Sequence, residues 1–129
     1  MSRADEVGKI GWIDLTVGDA TRVRDFYAGV VGWKPEGVEM GGYQDFNMTQ
    51  PSTGMPVAGV CHARGVNAGL PAQWLIYVTV ADLEASVRRV AELGGALVRP
   101  VTDMGGQGRV AIVRDPEGAV CALFQRAGP

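Results

Sequence analysis

The chain has 129 residues, 47% of them hydrophobic and 20% charged, so it is long enough to bury a core as one compact domain spanning 1–129. A net charge of -2 with no basic run leaves no electrostatic footprint for nucleic acid or for a membrane surface, and neither partner is expected. The opening MSRADEVGK has no apolar segment of the signal-peptide kind and no stretch approaches a membrane span, so cytoplasmic residence is expected.

The first element is a strand around WIDLTV, with Ile13, Leu15 and Val17 alternating against Trp12, Asp14 and Thr16. Asp19 then caps a helix whose apolar stripe is Val23, Phe26, Tyr27 and Val30, and Gly32 stops it. Three strands follow, over 33–39, 43–49 and 56–62. The polar, glycine-containing segment 63–73 is a linker. A second strand, LIYVTV, begins the same order again: Asp82 caps a helix with Leu83, Val87, Val90 and Leu93 as its stripe, and Gly94-Gly95 end it. Strands over 96–101, 108–114 and 119–125 complete the copy, with Asp115-Pro116-Glu117-Gly118 as a tight turn before the last.

The two copies align at a constant shift of 63 residues: Thr16 with Thr79, Val17 with Val80, Asp19 with Asp82, Gly32 with Gly95. One copy alone leaves a sheet face uncovered, so two are expected to form a curved sheet with a concave cleft. The 19 glycines cluster at turns, and Gly105-Gly106-Gln107-Gly108 lacks the spacing and the following Lys of a phosphate loop. Cys61 and Cys121 sit in apolar runs and read as reduced core residues; with His62 as the only histidine, no zinc cluster can be assembled.

The run DATRVRDFYAGVVGW and the DPEG turn before AVCALFQ resemble the glyoxalase/bleomycin-resistance/dioxygenase superfamily, also called vicinal oxygen chelate proteins, over about residues 9–125. The resemblance implies an α+β fold: two βαβββ modules in tandem, about 9–62 and 74–125, forming a curved eight-stranded mixed sheet around a central cleft with helices outside. It also implies a divalent metal held by two residues of each module, which here fall on Trp12, Gly59, Leu75 and Ala122. None of these is a ligand for a divalent cation, so no metal and no cofactor are expected.

By strand parity the cleft receives Trp12, Asp14 and Thr16 from one first strand and Leu75, Tyr77 and Thr79 from the other. Gly59, Cys61, Ala122 and Phe124 join from the last strands. Strand 43–49 contributes either Asp45 and Asn47 or Gln44 and Phe46. Gly59 and Ala122 are expected to leave open volume between aromatic walls, which suits a small aromatic or amphipathic ligand. Asp14 is the one candidate for acid–base chemistry. The leading expectation is therefore metal-free binding of a small molecule. The alternatives are a lyase, isomerase or dioxygenase-type enzyme, metal-independent through Asp14 or with an unusual metal site, and a non-catalytic interaction module. A homodimer is the expected assembly.

Overall fold

The computed structural model describes residues 3–128. The regular elements run β1 (Ile10–Val17), α1 (Ala20–Val31), β2 (Lys34–Glu39), β3 (Gln44–Thr49) and β4 (Pro56–His62). After a short 3-10 turn they repeat as β5 (Trp74–Thr79), α2 (Leu83–Glu92), β6 (Ala96–Asp103), β7 (Gly108–Arg114) and β8 (Val120–Arg126). The class is the expected α+β: mixed strands, two helices, and a βαβββ order used twice.

The chain divides into two compact units, one spanning Trp12–Trp74 and the other holding the residues up to Gly11 and those from Leu75 onward. In the first unit the strands lie in the order β2-β3-β4-β1, and in the second β5-β8-β7-β6. The first and last strands of each module pair parallel, and the others pair antiparallel. The duplication extends to the register. Asp14 pairs with Gly59 and Thr16 with Cys61, while Tyr77 pairs with Ala122 and Thr79 with Phe124, each pair 63 residues on from its counterpart. The shift fails at the third strand, where Asn47 lies beside Gly59 but Ile112 beside Ala122, a shift of 65. The β6–β7 connection absorbs the two extra residues with register irregularities in β6 and a 3-10 turn at Gly105–Gln107.

Both helices start as the sequence predicts. The carboxylate of Asp19 accepts from the backbone N–H of Arg22 at 3.0 Å, and that of Asp82 from Ala85 at 3.1 Å. Their ends differ. Gly32 closes α1 at φ +88°, donating to Ala28 O, but in the second unit it is Gly94 that takes the left-handed conformation, at φ +91°. Gly95 is needed for a different reason: a Cβ there would lie 2.5 Å from the carbonyl oxygen of Arg114. Pairing Gly32 with Gly95 is thus one residue out, because α2 reaches its left-handed stop one residue earlier.

The core of the first unit is Ala20, Phe46, Met48 and Val60, flanked by Val17, Val23, Tyr27, Trp33 and Trp74. The indole N–H of Trp74 donates to the Tyr27 hydroxyl at 3.1 Å, and the Tyr27, Trp33 and Trp74 rings pack edge-to-face or tilted, 5.3–6.0 Å apart. The expected α1 stripe is only half right. Val23 and Tyr27 face the sheet, whereas Phe26 and Val30 are 58% and 66% exposed. Phe26 lies 100° round the helix from Tyr27 and turns outward, whereas Val30, nearly in line with Val23, lies in the last turn of α1. In the second unit Leu83 is buried while Leu93, expected in the same stripe, is exposed. The Leu83 N–H donates to Gln125 Oε1 at 2.8 Å, and Arg109 grips both Glu84 carboxylate oxygens and Gln125. That grip holds the Glu84 carboxyl below the usual carboxylate range. Among the described residues, no helix is long and apolar enough to cross a membrane.

Candidate functional site

The first unit resolves the alternative left open for β3. Leu15, Phe46 and Val60 sit in register and turn toward α1, so the opposite face receives Asp45 and Asn47. Two cross-strand rows then lie on the face away from α1. One is Glu36, Asn47, Gly59 and Asp14; the other is Val38, Asp45, Cys61 and Thr16. Trp12 lies two residues before Asp14 on the same face. The predicted residues Trp12, Asp14, Thr16, Asn47, Gly59 and Cys61 are therefore brought together. Asp45, named with Asn47 in one of the two alternatives for this strand, belongs with them; so do Glu36 and Val38, which only strand pairing reveals, because β2 (Lys-Pro-Glu-Gly-Val-Glu) carries no clear alternation.

Gly59 does not leave the open volume expected of it. A Cβ at that position would lie 2.1 Å from Asp14 Oδ1 and 3.5 Å from Trp12 Nε1. The Trp12 indole N–H donates to the same carboxylate oxygen at 2.6 Å. The missing side chain of Gly59 has thus been replaced by its neighbour's carboxylate, oriented by an indole: a short hydrogen bond to a charged group is among the stronger kinds.

Next along β4, the Cys61 thiol is pushed far up from its ordinary value, first by burial, then by the charges of Asp14 and Asp45 and a hydrogen bond with Asp45. Buried Asp45 in turn accepts the His62 backbone N–H at 2.8 Å. These surroundings favour the protonated thiol of Cys61. Burial first, and Asp115 second, also raise Cys121, which lies on the helix side of β8. For a thiol whose folded value is raised, the unfolded chain releases its proton first as pH climbs past about 8.5. For Cys61, the more deeply buried of the two, stability is then lost at up to about 1.4 kcal/mol per pH unit. Equilibrium unfolding between pH 8 and 10 should show a shallower decline in Cys61→Ser than in the wild type. Equal slopes would mean that Cys61 ionises normally in the folded protein.

In the second unit Leu75, Tyr77, Thr79, Ala122 and Phe124 share the face away from α2, as parity predicts. Leu75 and Ala122 are fully buried and act as core. The Phe124 ring lies against Gly108, where a Cβ would come within 3.0 Å of it. A cavity of about 270 Å³ in this unit is lined by Glu6, Val7, Thr79, Val80, Ala81, Gln125 and Arg126. It meets the predicted set only at Thr79, and a Glu6–Arg126 ion pair of 2.7 Å lies in its wall.

The four positions at which the resemblance places metal ligands do not fit a metal. Trp12 offers an N–H already spent on Asp14, Gly59 has no side chain and no room for one, and Leu75 and Ala122 are buried hydrocarbon. Among the described residues, no three His, Cys, Asp or Glu side chains converge to hold an ion.

Comparison with known proteins agrees with this architecture. The family model described as Glyoxalase/Bleomycin resistance protein/Dioxygenase superfamily matches residues 9–123. The anthracycline biosynthesis protein DauV of Streptomyces sp. (strain C5) is 31% identical over 134 aligned positions, covering 92% of this chain and 47% of that protein. The chain spans about half the length of the curated relatives it matches. Methylmalonyl-CoA epimerase from Mycobacterium tuberculosis shares the fold with a TM-score of 0.55 at 18% identity, covering 94% of this chain and 89% of that one. A glyoxalase/bleomycin resistance protein/dioxygenase superfamily member from Vibrio splendidus 12B01 does so with a TM-score of 0.55, also at 18% identity. This chain belongs to the glyoxalase/bleomycin resistance protein/dioxygenase superfamily.

Proposed function

We propose that the protein binds a small aromatic or amphipathic molecule without a metal, on the face of the first unit bearing Trp12, Asp14, Thr16, Asn47, Gly59 and Cys61. The observation that carries this reading is the Trp12–Asp14 pair seated over Gly59: a fixed carboxylate beside an indole occupies the place where the resemblance puts a metal ligand. An indole offers stacking area, and a carboxylate whose position is already set costs little further ordering when it accepts a ligand's hydrogen bond. The name of the relative DauV, which ties it to anthracycline biosynthesis, is in keeping with an aromatic ligand.

A second reading makes Asp14 a general base acting on that ligand, because Trp12 orients its carboxylate and Cys61 remains protonated beside it. We further propose a homodimer in the cytoplasm. Relatives of about twice this length are consistent with pairing, and two free cysteines with a reducing compartment. Analytical ultracentrifugation giving a monomer at micromolar concentration would remove the dimer.

The test of binding is a thermal-shift screen of aromatic metabolites in the presence of EDTA, since a ligand of the native state raises the melting temperature according to RT ln(1 + [L]/Kd). A hit that survives EDTA and is lost in Trp12→Ala supports the proposal. Stoichiometric divalent metal in gently purified protein, with shifts that EDTA abolishes, overturns it. Turnover of the hit by the wild type but not by Asp14→Asn would establish the second reading.

A further inference from the structure

The single histidine lies on the other side of the first unit's sheet from Asp14. Val17 pairs with His62 and Leu15 with Val60, so His62 faces the helix side at the end of β4. There it takes part in a row of alternating cations and rings drawn from α1, β3, the turn before β3, and the segment after β4. The Arg24 guanidinium sits 4.7 Å over the Phe46 ring, Phe46 is 6.3 Å from the His62 ring, and His62 meets Tyr43 edge-on at 5.6 Å. The Arg64 guanidinium closes the row 4.1 Å over Tyr43.

The two arginines at the ends of this row are in different electrostatic states. Arg24 is neutralised by Asp25, with Nε and a terminal nitrogen each 2.9 Å from Oδ1. Arg64 is exposed and has no carboxylate within ion-pair distance among the described residues. Asp45, on the neighbouring strand, turns to the opposite face and accepts the His62 backbone N–H. A guanidinium seated over an aromatic ring uses its face there and keeps N–H groups along its edge, the fork that matches two oxygens of an anion. Seating it on Tyr43 also removes much of the rotamer entropy a free arginine loses on binding. The His62 imidazole stands edge-on to the same ring, 5.6 Å away.

We propose that Arg64 and His62, seated on Tyr43, form a binding site for a small oxyanion, a phosphate or carboxylate borne by a ligand, on the helix side of the first unit and separate from the Trp12–Asp14 face. The chain's one histidine makes the test direct, because its imidazole gives a single assignable pair of ¹H–¹³C resonances. Inorganic phosphate, titrated at fixed pH and ionic strength, should shift those resonances saturably. In Arg64→Ala the affinity should fall on the order of tenfold, the loss of one charge-assisted hydrogen-bonding partner. Arg114→Ala, at an exposed position of β7, should leave it unchanged. Parallel titrations with methyl phosphate and acetate separate the two oxyanion sources: stronger shifts with methyl phosphate assign a phosphate ester, stronger shifts with acetate a carboxylate. A response that sodium chloride reproduces at equal ionic strength, or one that Arg64→Ala leaves intact in a well-dispersed spectrum, overturns the proposal.

Discussion

Gly108→Ala is expected to destabilise the protein by about 3 kcal/mol, while Gly106→Ala two residues earlier changes stability by less than about 0.5 kcal/mol. Gly108 opens β7 at φ +146°, ψ -156°, a region that essentially only glycine occupies. A Cβ there would also lie 2.3 Å from the Gln125 carbonyl oxygen and 3.0 Å from two atoms of the Phe124 ring. Backbone strain and overpacking thus act together, each worth about 1–3 kcal/mol, and the obstructing oxygen belongs to a paired strand and cannot swing aside. Gly106 has nothing within 4 Å of its Cβ position. Chemical denaturation of both variants checks the contrast; coincident midpoints would show that β7 and β8 can separate without cost. Because Phe124 is the displaced ring, Gly108→Ala also tests whether this glycine sets the aromatic residue in place.

The second large effect is expected at Gly59. Gly59→Ala should cost about 1–3 kcal/mol, because the new methyl group would meet Asp14 Oδ1 at 2.1 Å and force the carboxylate off the Trp12 N–H. Asp14→Ala carries its own cost, the loss of a hydrogen bond to a charged group. In the double variant Gly59→Ala/Asp14→Ala the methyl group meets no carboxylate. The double-mutant cycle should therefore return a favourable coupling of about 1 kcal/mol or more. Additive costs would mean that the two positions are independent and that Asp14 has room elsewhere. The same geometry predicts that Gly59→Glu alone does not restore divalent-metal binding, which metal analysis after dialysis would reveal, since the added carboxylate competes with Asp14 for one space.

Much of this fold was legible in the sequence. Strand alternation, two capping aspartates and the Asp-Pro-Glu-Gly turn are local devices whose energetics need only a few neighbouring residues. The turn behaves as its composition requires: Asp115 Oδ1 accepts the N–H groups of Glu117 and Ala119, and Gly118 takes φ +95°. The same shift of 63 made Gly59 and Ala122 equivalent positions, and the structure carries the equivalence into the register, with Asp14 beside Gly59 and Tyr77 beside Ala122. Where the repeat is imperfect the sequence alignment misled. It placed Gly95 opposite Gly32 although Gly94 does that work, because aligning letters cannot tell a left-handed glycine from one kept small by a nearby carbonyl.

The sequence by itself determined the two βαβββ modules, which residues share a strand face, and the absence of ligand chemistry at Trp12, Gly59, Leu75 and Ala122. These follow from side-chain identity and from the periods of strand and helix, which are properties of a chain read one residue after another. Only the tertiary structure decided what fills the space at Gly59. It also decided that Asp45 and Asn47, not Gln44 and Phe46, join Asp14, and that Phe26 and Val30 lie outside the stripe buried by Val23 and Tyr27. Each of those outcomes depends on atoms distant in sequence competing for one volume, or on which of two equal faces another element covers. Local periodicity is the same either way, so the choice is made by packing.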